Sequence, residues 1–295
     1  GSGGATGGKG GSGTGGGGGG SGGGTGGGSG GSTGGAGGSK PDAGPDAAVK
    51  LDASTSEGGT PGDPGKFSFF VTSVRAMKRL SNNPMGFGGD LRYGEQTGLA
   101  GADKICTEIA ESVMPGAGAK EWHAFLSAVK AGPGGTAVHA KDRIGQGPWY
   151  DKMGRLVAMT KADLLSTRPK GADPAIINDL PNEDGIPNHT DGAPGCTGNA
   201  CPDNHDTLTG TSTNGMLRGT DMGSTCNDWT SSAMSGRPWC GHSWPRSGSG
   251  VNWMSALSEG GCAPGINLKE MGGPNAPTVG SGGGYGGIYC FAMKP

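Results

Sequence analysis

Apolar and polar positions along this chain change period several times after residue 66, and each change predicts an element. Phe67-Ser68-Phe69-Phe70-Val71-Thr72-Ser73-Val74 is an aromatic and β-branched run, the pattern of a strand. Residues 75–97 are rich in Asn, Gly and Arg and read as a long loop. From Leu99 the spacing becomes helical. Leu99, Ala102, Ile105, Cys106, Ile109, Ala110 and Val113 recur at i, i+3 and i+4, and Pro115-Gly116 ends the pattern. Cys106 falls on the apolar face of that helix. Residues 121–129 (Glu-Trp-His-Ala-Phe-Leu-Ser-Ala-Val) predict a second strand, with a short helix as the alternative. Residues 148–157 predict a hairpin with Gly154 near its turn. Thr160 followed by Asp163 is spaced as a helix cap, opening a short helix through Leu165. Beyond Pro169 the chain is loop-like. Short strands are expected at Asp206–Thr211, around Trp229 and at Gly287–Met293.

Before residue 67 there is no such pattern. Of residues 1–40, 26 are Gly and nearly all the rest are Ser, Thr or Ala. A segment of that composition has too little apolar surface to offset the entropy of ordering it. It reads as a tether, and residues 41–66, rich in Pro, Asp, Ala and Gly, read as its stiffer, acidic extension. As a random coil, 66 residues span roughly 45 Å. The folded domain is expected over 67–295. Net charge is −2 and no basic stripe is visible, so nucleic acid is not an expected partner. Arg75, Lys78 and Arg79 form a small basic patch that reads as a solvated face. No apolar run approaches the ~18 residues of a membrane span. A Gly/Ser tether resembles the start of a mature bacterial lipoprotein, so the expected membrane link is a lipid anchor outside this sequence.

Seven cysteines favour an oxidising compartment, and the odd number leaves at least one thiol over. The residues around them carry a resemblance. Phe70-Val71-Thr72-Ser73 is followed by Gly98-Leu99-Ala100-Gly101-Ala102-Asp103 leading to Cys106, then Phe125-Leu126-Ser127 and Leu208-Thr209-Gly210-Thr211. Cys226-Asn227-Asp228-Trp229-Thr230-Ser231, Gly241-His242-Ser243-Trp244 and Tyr289-Cys290-Phe291 complete the series. This order resembles a bacterial secreted or lipoprotein family of unknown function related to the endostatin domain of collagens XV and XVIII, which has a C-type lectin-like fold. The resemblance covers about residues 67 to 295, interrupted by loops near 170–205 and 263–284. It implies an α+β domain with small antiparallel sheets, one or two helices and long stapled loops. It also implies the pairs Cys106–Cys290 and Cys226–Cys262. Loops of those lengths give at most about 5 and 4 kcal/mol by chain entropy. A core-facing helix cysteine and a cysteine in the last strand agree with the first pair. Cys196 and Cys201 are expected to pair locally and leave Cys240 over; a bond from Cys240 to either of them is the competing arrangement.

Candidate chemistry lies mainly in the loops. Asn182-Glu183-Asp184-Gly185-Ile186-Pro187-Asn188-His189-Thr190-Asp191 places Asn182, Asp184, Asn188 and Asp191 at the oxygen positions of a calcium loop, with Gly185 at the turn. The segment also resembles the Asp-Gly-Ile-Pro turns of thrombospondin type 3 repeats. Leu180 stands where such a loop requires Asp. The preferred reading is therefore a polar turn bonding its own backbone, with Ca²⁺ as the alternative. Leu180-Pro181-Asn182 and Asn227-Asp228-Trp229 only partly match the sugar-binding motifs of calcium-dependent lectins, and Trp229 reads as core. Trp239, Trp244 and Trp253 lie in Gly/Ser-rich loops, where they would pack the loop or stack on a sugar or peptide. His189, Cys196, Cys201 and His205 do not have zinc-site spacing, and a cystine is the better reading. His123, His139 and His242 are isolated in sequence, and His242 reads as a structural hydrogen-bonding residue. No nucleophile elbow, metalloprotease helix or phosphate loop is present.

These observations predict a non-enzymatic recognition or adhesion module, secreted or at the cell-envelope surface, displayed on a tether. Its loops at 170–205 and 232–284 would face a glycan or protein ligand. The second reading is a structural envelope protein making protein contacts, with Cys240 available between chains; an enzyme hidden in the loops is the third.

Overall fold

The aromatic run after residue 66 is buried throughout and forms the first strand. In the computed structural model, which describes residues 63, 65–191, 193, 196, 201–269 and 276–294, this run gives β1 (Phe69–Val71). Phe70 enters one apolar cluster, and Phe69 and Val71 the other, as a period of two requires. All described residues fall in one unit, Thr55–Pro295. The Gly-rich stretch read as a tether lies, up to residue 62, outside the described residues.

Ser73 ends the strand and starts a helix that the sequence pattern does not predict. Its hydroxyl accepts the Ala76 N–H and caps α1 (Val74–Ser81), within the segment expected to be loop. Only Ala76 and Met77 of α1 are buried, with Val74 and Leu80 packed at the edge of the core, and the segment is short and polar overall. Helix α2 (Gly98–Val113) forms where expected, capped by Thr97, with Cys106 fully buried. Gly101 is required there. A Cβ at that position would stand 2.1 Å from the Leu91 and Arg92 carbonyl oxygens, so only glycine lets the preceding loop lie against the helix.

The remaining strands are β2 (Trp122–Ala124), β3 (Trp149–Tyr150), β4 (Leu156–Ala158), β5 (Asp206–Leu208), β6 (Trp239–His242), β7 (Leu257–Ser258) and β8 (Gly284–Ala292). The one-turn helix α3 (Lys161–Leu164) follows the Thr160 cap. Strands β3 and β4 make the expected hairpin. The main sheet runs β1-β8-β5-β6-β7, with β2 also paired to β8. β1 lies antiparallel to β8 (Phe69 opposite Phe291), so the first and last strands of the domain pair at one end of the sheet order. β5 pairs with β8 in parallel, and β2 pairs with its last residues antiparallel. Every residue of β8 is buried. Ile288, Cys290 and Ala292 pack with α2, whereas Tyr289 and Phe291 pack with Phe125, Trp149 and Trp253 on the other face.

Around Trp229 the expected strand is replaced by a left-handed turn. Cys226, Asn227, Asp228 and Trp229 have φ of 47°, 56°, 54° and 63°. Non-glycine residues resist this region at roughly 1–2 kcal/mol each. Specific contacts hold it. The Asp228 carboxylate accepts the N–H groups of Val129 and Lys130 at 2.6 and 2.8 Å, and the Trp229 indole donates to the Ser127 carbonyl at 2.8 Å. The Cys226–Cys262 disulfide anchors its first residue. Cys106–Cys290 joins α2 to β8, and Cys196–Cys201 closes a short local loop. Cys240 is a free thiol and is completely buried, so the arrangement pairing it with Cys196 or Cys201 does not occur. The protein is thus a mixed α/β domain with few helices, small sheets and three disulfides. The disulfides are consistent with an oxidising, extracellular setting.

Candidate functional site

The Asn182–Asp191 segment folds on its own backbone. The Asn182 side-chain oxygen accepts the N–H groups of Asp184 and Ile186, and Gly185 takes φ of 78° between them. Asp184 pairs with Arg75 and lies 3.4 Å from the Lys152 ammonium. Asn188 donates to Ser243 and accepts the Tyr285 hydroxyl. The oxygens of Asn182, Asp184 and Asn188 that calcium would take are therefore committed to protein donors at three different places. Asp191 donates its backbone N–H to the Asn188 carbonyl. Next to the turn, the buried Glu183 carboxylate accepts both the Ser73 N–H and its hydroxyl, which ties the loop to the cap of α1.

The three loop tryptophans separate into different environments. Trp253 is not a loop platform. It is fully buried in the second core, its indole donating to the Leu164 carbonyl, because the loop carrying it folds beneath β6 rather than outward. Trp239 and Trp244 are half-buried. The Arg218 guanidinium lies over the Trp239 ring at 3.5 Å. The Trp244 indole stacks on His189 at 3.7 Å and also carries Arg246 at 4.2 Å. Large exposed apolar side chains are methionines instead: Met234 at 71%, Met159 at 52% and Met85 at 43%. An open cleft of about 550 Å³ is lined by residues that include Phe87, Asp90, Arg92, Tyr93, Ser232 and Pro264. Phe87 and Tyr93 meet edge to face in it, and Arg92 chelates Asp90 through two side-chain bonds.

A denser polar constellation lies beneath the surface at the ends of β5 and β6. Asp206 is directly opposite His242 across the β5–β6 pair. His205 precedes Asp206, and its ring stacks on that of His242 at 4.0 Å. Asp203 holds both His205 Nδ1, at 3.0 Å, and His189 Nε2, at 2.8 Å. Glu259 completes the group, with one carboxylate oxygen accepting the Ser281 hydroxyl and the Gly282 N–H. His205, Asp206, His242 and Glu259 are all buried. Burial, then the Asp206 carboxyl nearby, pushes the Glu259 carboxyl well above its usual range. Burial, followed by His205 and Arg246, pushes His242 down to about 2, so its imidazole is neutral. One ligand atom from each of His205, Asp206 and His242 lies within 4.8 Å of the others. Asp206 and Glu259 are not singled out by the sequence pattern, and His242 is isolated in it. The β5–β6 register sets Asp206 opposite His242, and Glu259 follows β7. The zinc arrangement weighed from sequence does not form, because Cys196 and Cys201 are bonded to each other.

No protein-family profile matches this chain, and no curated protein does.

Proposed function

We propose that the domain is a non-enzymatic recognition module of C-type lectin-like, endostatin-related type, displayed outside the cell, and that its ligand is a protein. The observation that carries this reading is the placement of the chain ends. First and last strands pair antiparallel, and α2 is stapled to the last strand by Cys106–Cys290. That closes a base from which the irregular segments between β4 and β5 and between β6 and β8 depart. Long irregular segments on a stapled base suit binding, since loops present side chains without disturbing the core. A protein ligand is favoured over a glycan by the tryptophans. Trp253 is buried, while Trp239 and Trp244 already carry a guanidinium or an imidazole where a sugar would stack. The cleft beside Phe87, Arg92 and Tyr93, close to the Cys226–Cys262 disulfide, offers aromatic edges and both signs of charge.

The test presents the whole chain to arrayed glycans and to arrayed secreted and cell-surface proteins. Saturable protein binding that weakens at least about ten-fold in Arg92→Glu supports the reading. Saturable glycan binding, or protein binding indifferent to Arg92→Glu and Tyr93→Ala in folded variants, overturns it. A structural envelope role remains the second reading. It cannot run through an interchain Cys240 bond, because that thiol is buried.

A further inference from the structure

We propose that His205, Asp206, His242 and Glu259 form a buried structural site for one divalent d-block cation of the zinc type. The ligand set is two imidazoles and two carboxylates, a combination that suits Zn²⁺. His205 Nε2 lies 3.5 Å from Asp206 Oδ1. Two ligands of a tetrahedral ion, each about 2.1 Å from the metal, stand about 3.4 Å apart, so this pair already has the right edge. His205 is oriented for the task. Its Nδ1 is held by Asp203, which leaves Nε2 turned to Asp206, the carboxylate–histidine arrangement that supports metal-bound imidazoles.

Two further groups point to a ligand. His242 Nδ1 is a buried polar atom with no hydrogen-bond partner among the described residues, and the buried Glu259 carboxyl is hydrogen-bonded to the Asp206 carboxyl beside it. Glu259 is 0% exposed and His242 is 3% exposed. Glu259 Oε1 and Asp206 Oδ2 lie on the same side of Gly282, 3.5 and 2.5 Å from the position a Cβ there would occupy, so a side chain would enter the group. The His205 and His242 rings are stacked with only 16° between their planes. An ion in the plane of one ring is therefore out of plane for the other, and loading turns His242 about its Cβ–Cγ bond.

Charge supports the same conclusion. Asp203, Asp206 and Glu259 gather around the two imidazoles with Arg246 as the nearby cation, an acidic surrounding that suits a divalent ion. All four residues are buried. The site is closed, as structural metal sites are.

The proposal is independent of the ligand class given above. Its test begins with the whole chain stripped by a chelator and desalted. Zn²⁺ should be retained at one equivalent per chain after a second desalting, and should raise Tm by about 5–10 °C at an excess of about 100 times Kd. Co²⁺ should give the intense visible bands of a four-coordinate site. His242→Gln and Glu259→Gln should each weaken Zn²⁺ binding at least ten-fold, while Asp184→Ala leaves it unchanged. Absence of retained Zn²⁺, or retention unaltered by both variants, overturns the proposal and leaves a proton shared between the carboxyls. Should the variants fail to fold, the wild-type Co²⁺ spectrum decides: bands typical of six-coordinate, water-rich cobalt overturn it.

Discussion

Asp179 shows how one buried carboxyl sets a pH response. Burial pushes it up to about 7 from an ordinary value of 3.8, against the opposing backbone N–H donors of Asn188 and His189. Between those values the folded chain holds a proton that the unfolded chain has released. The contribution of Asp179 to stability is therefore present at pH 4 and lost as pH rises through 7. Asp179→Asn keeps an oxygen acceptor and removes the charge. Chemical denaturation should find the variant more stable than wild type by up to about 4 kcal/mol at pH 8, with the difference vanishing near pH 4. The tryptophans separate by the same logic of surroundings. Trp253→Ala should cost about 3–5 kcal/mol as a core deletion. Trp244→Ala should cost no more than about 1.5 kcal/mol, because only its stacking with His189 and Arg246 is lost.

At the scale of elements, the disulfides and the left-handed turn do different work. Chain entropy ranks the three bridges by the loops they close, separated by 184, 36 and 5 residues. Replacing each pair by serine should cost at most about 5, 4 and 2 kcal/mol, in the order Cys106–Cys290, Cys226–Cys262 and Cys196–Cys201, measured by guanidinium unfolding. A different order would show that strain at a bridge outweighs loop closure. The turn Cys226–Trp229 is held in an unfavourable backbone region by the Asp228 carboxylate. Asp228→Ala leaves the Val129 and Lys130 N–H groups without their acceptor and should cost about 2–4 kcal/mol. Asp228→Asn, which still accepts, should recover part of it.

For the whole molecule, burial of Cys240 makes a simple prediction. Six cysteines are bonded and the seventh is enclosed, with its thiol pushed up by burial. A thiol reagent should find no reactive group in the native protein and one after denaturation without reductant. Calcium should leave Tm unchanged, since the oxygens of Asn182, Asp184 and Asn188 are already engaged. What the sequence determined by itself was local and periodic. Helix α2 follows from apolar residues at helical spacing, β8 from an aromatic terminal run, and the β3–β4 hairpin from its turn glycine. Helix α1 escaped because its order rests on the Ser73 cap and buries only two residues. The left-handed turn at Trp229 escaped because its unfavourable backbone is offset by N–H donors about a hundred residues away in sequence. The His205, Asp206, His242 and Glu259 group was decided by tertiary structure alone. Cross-strand register sets Asp206 opposite His242, and the loop after β7 brings in Glu259. Neither relation has a spacing that a linear chain displays.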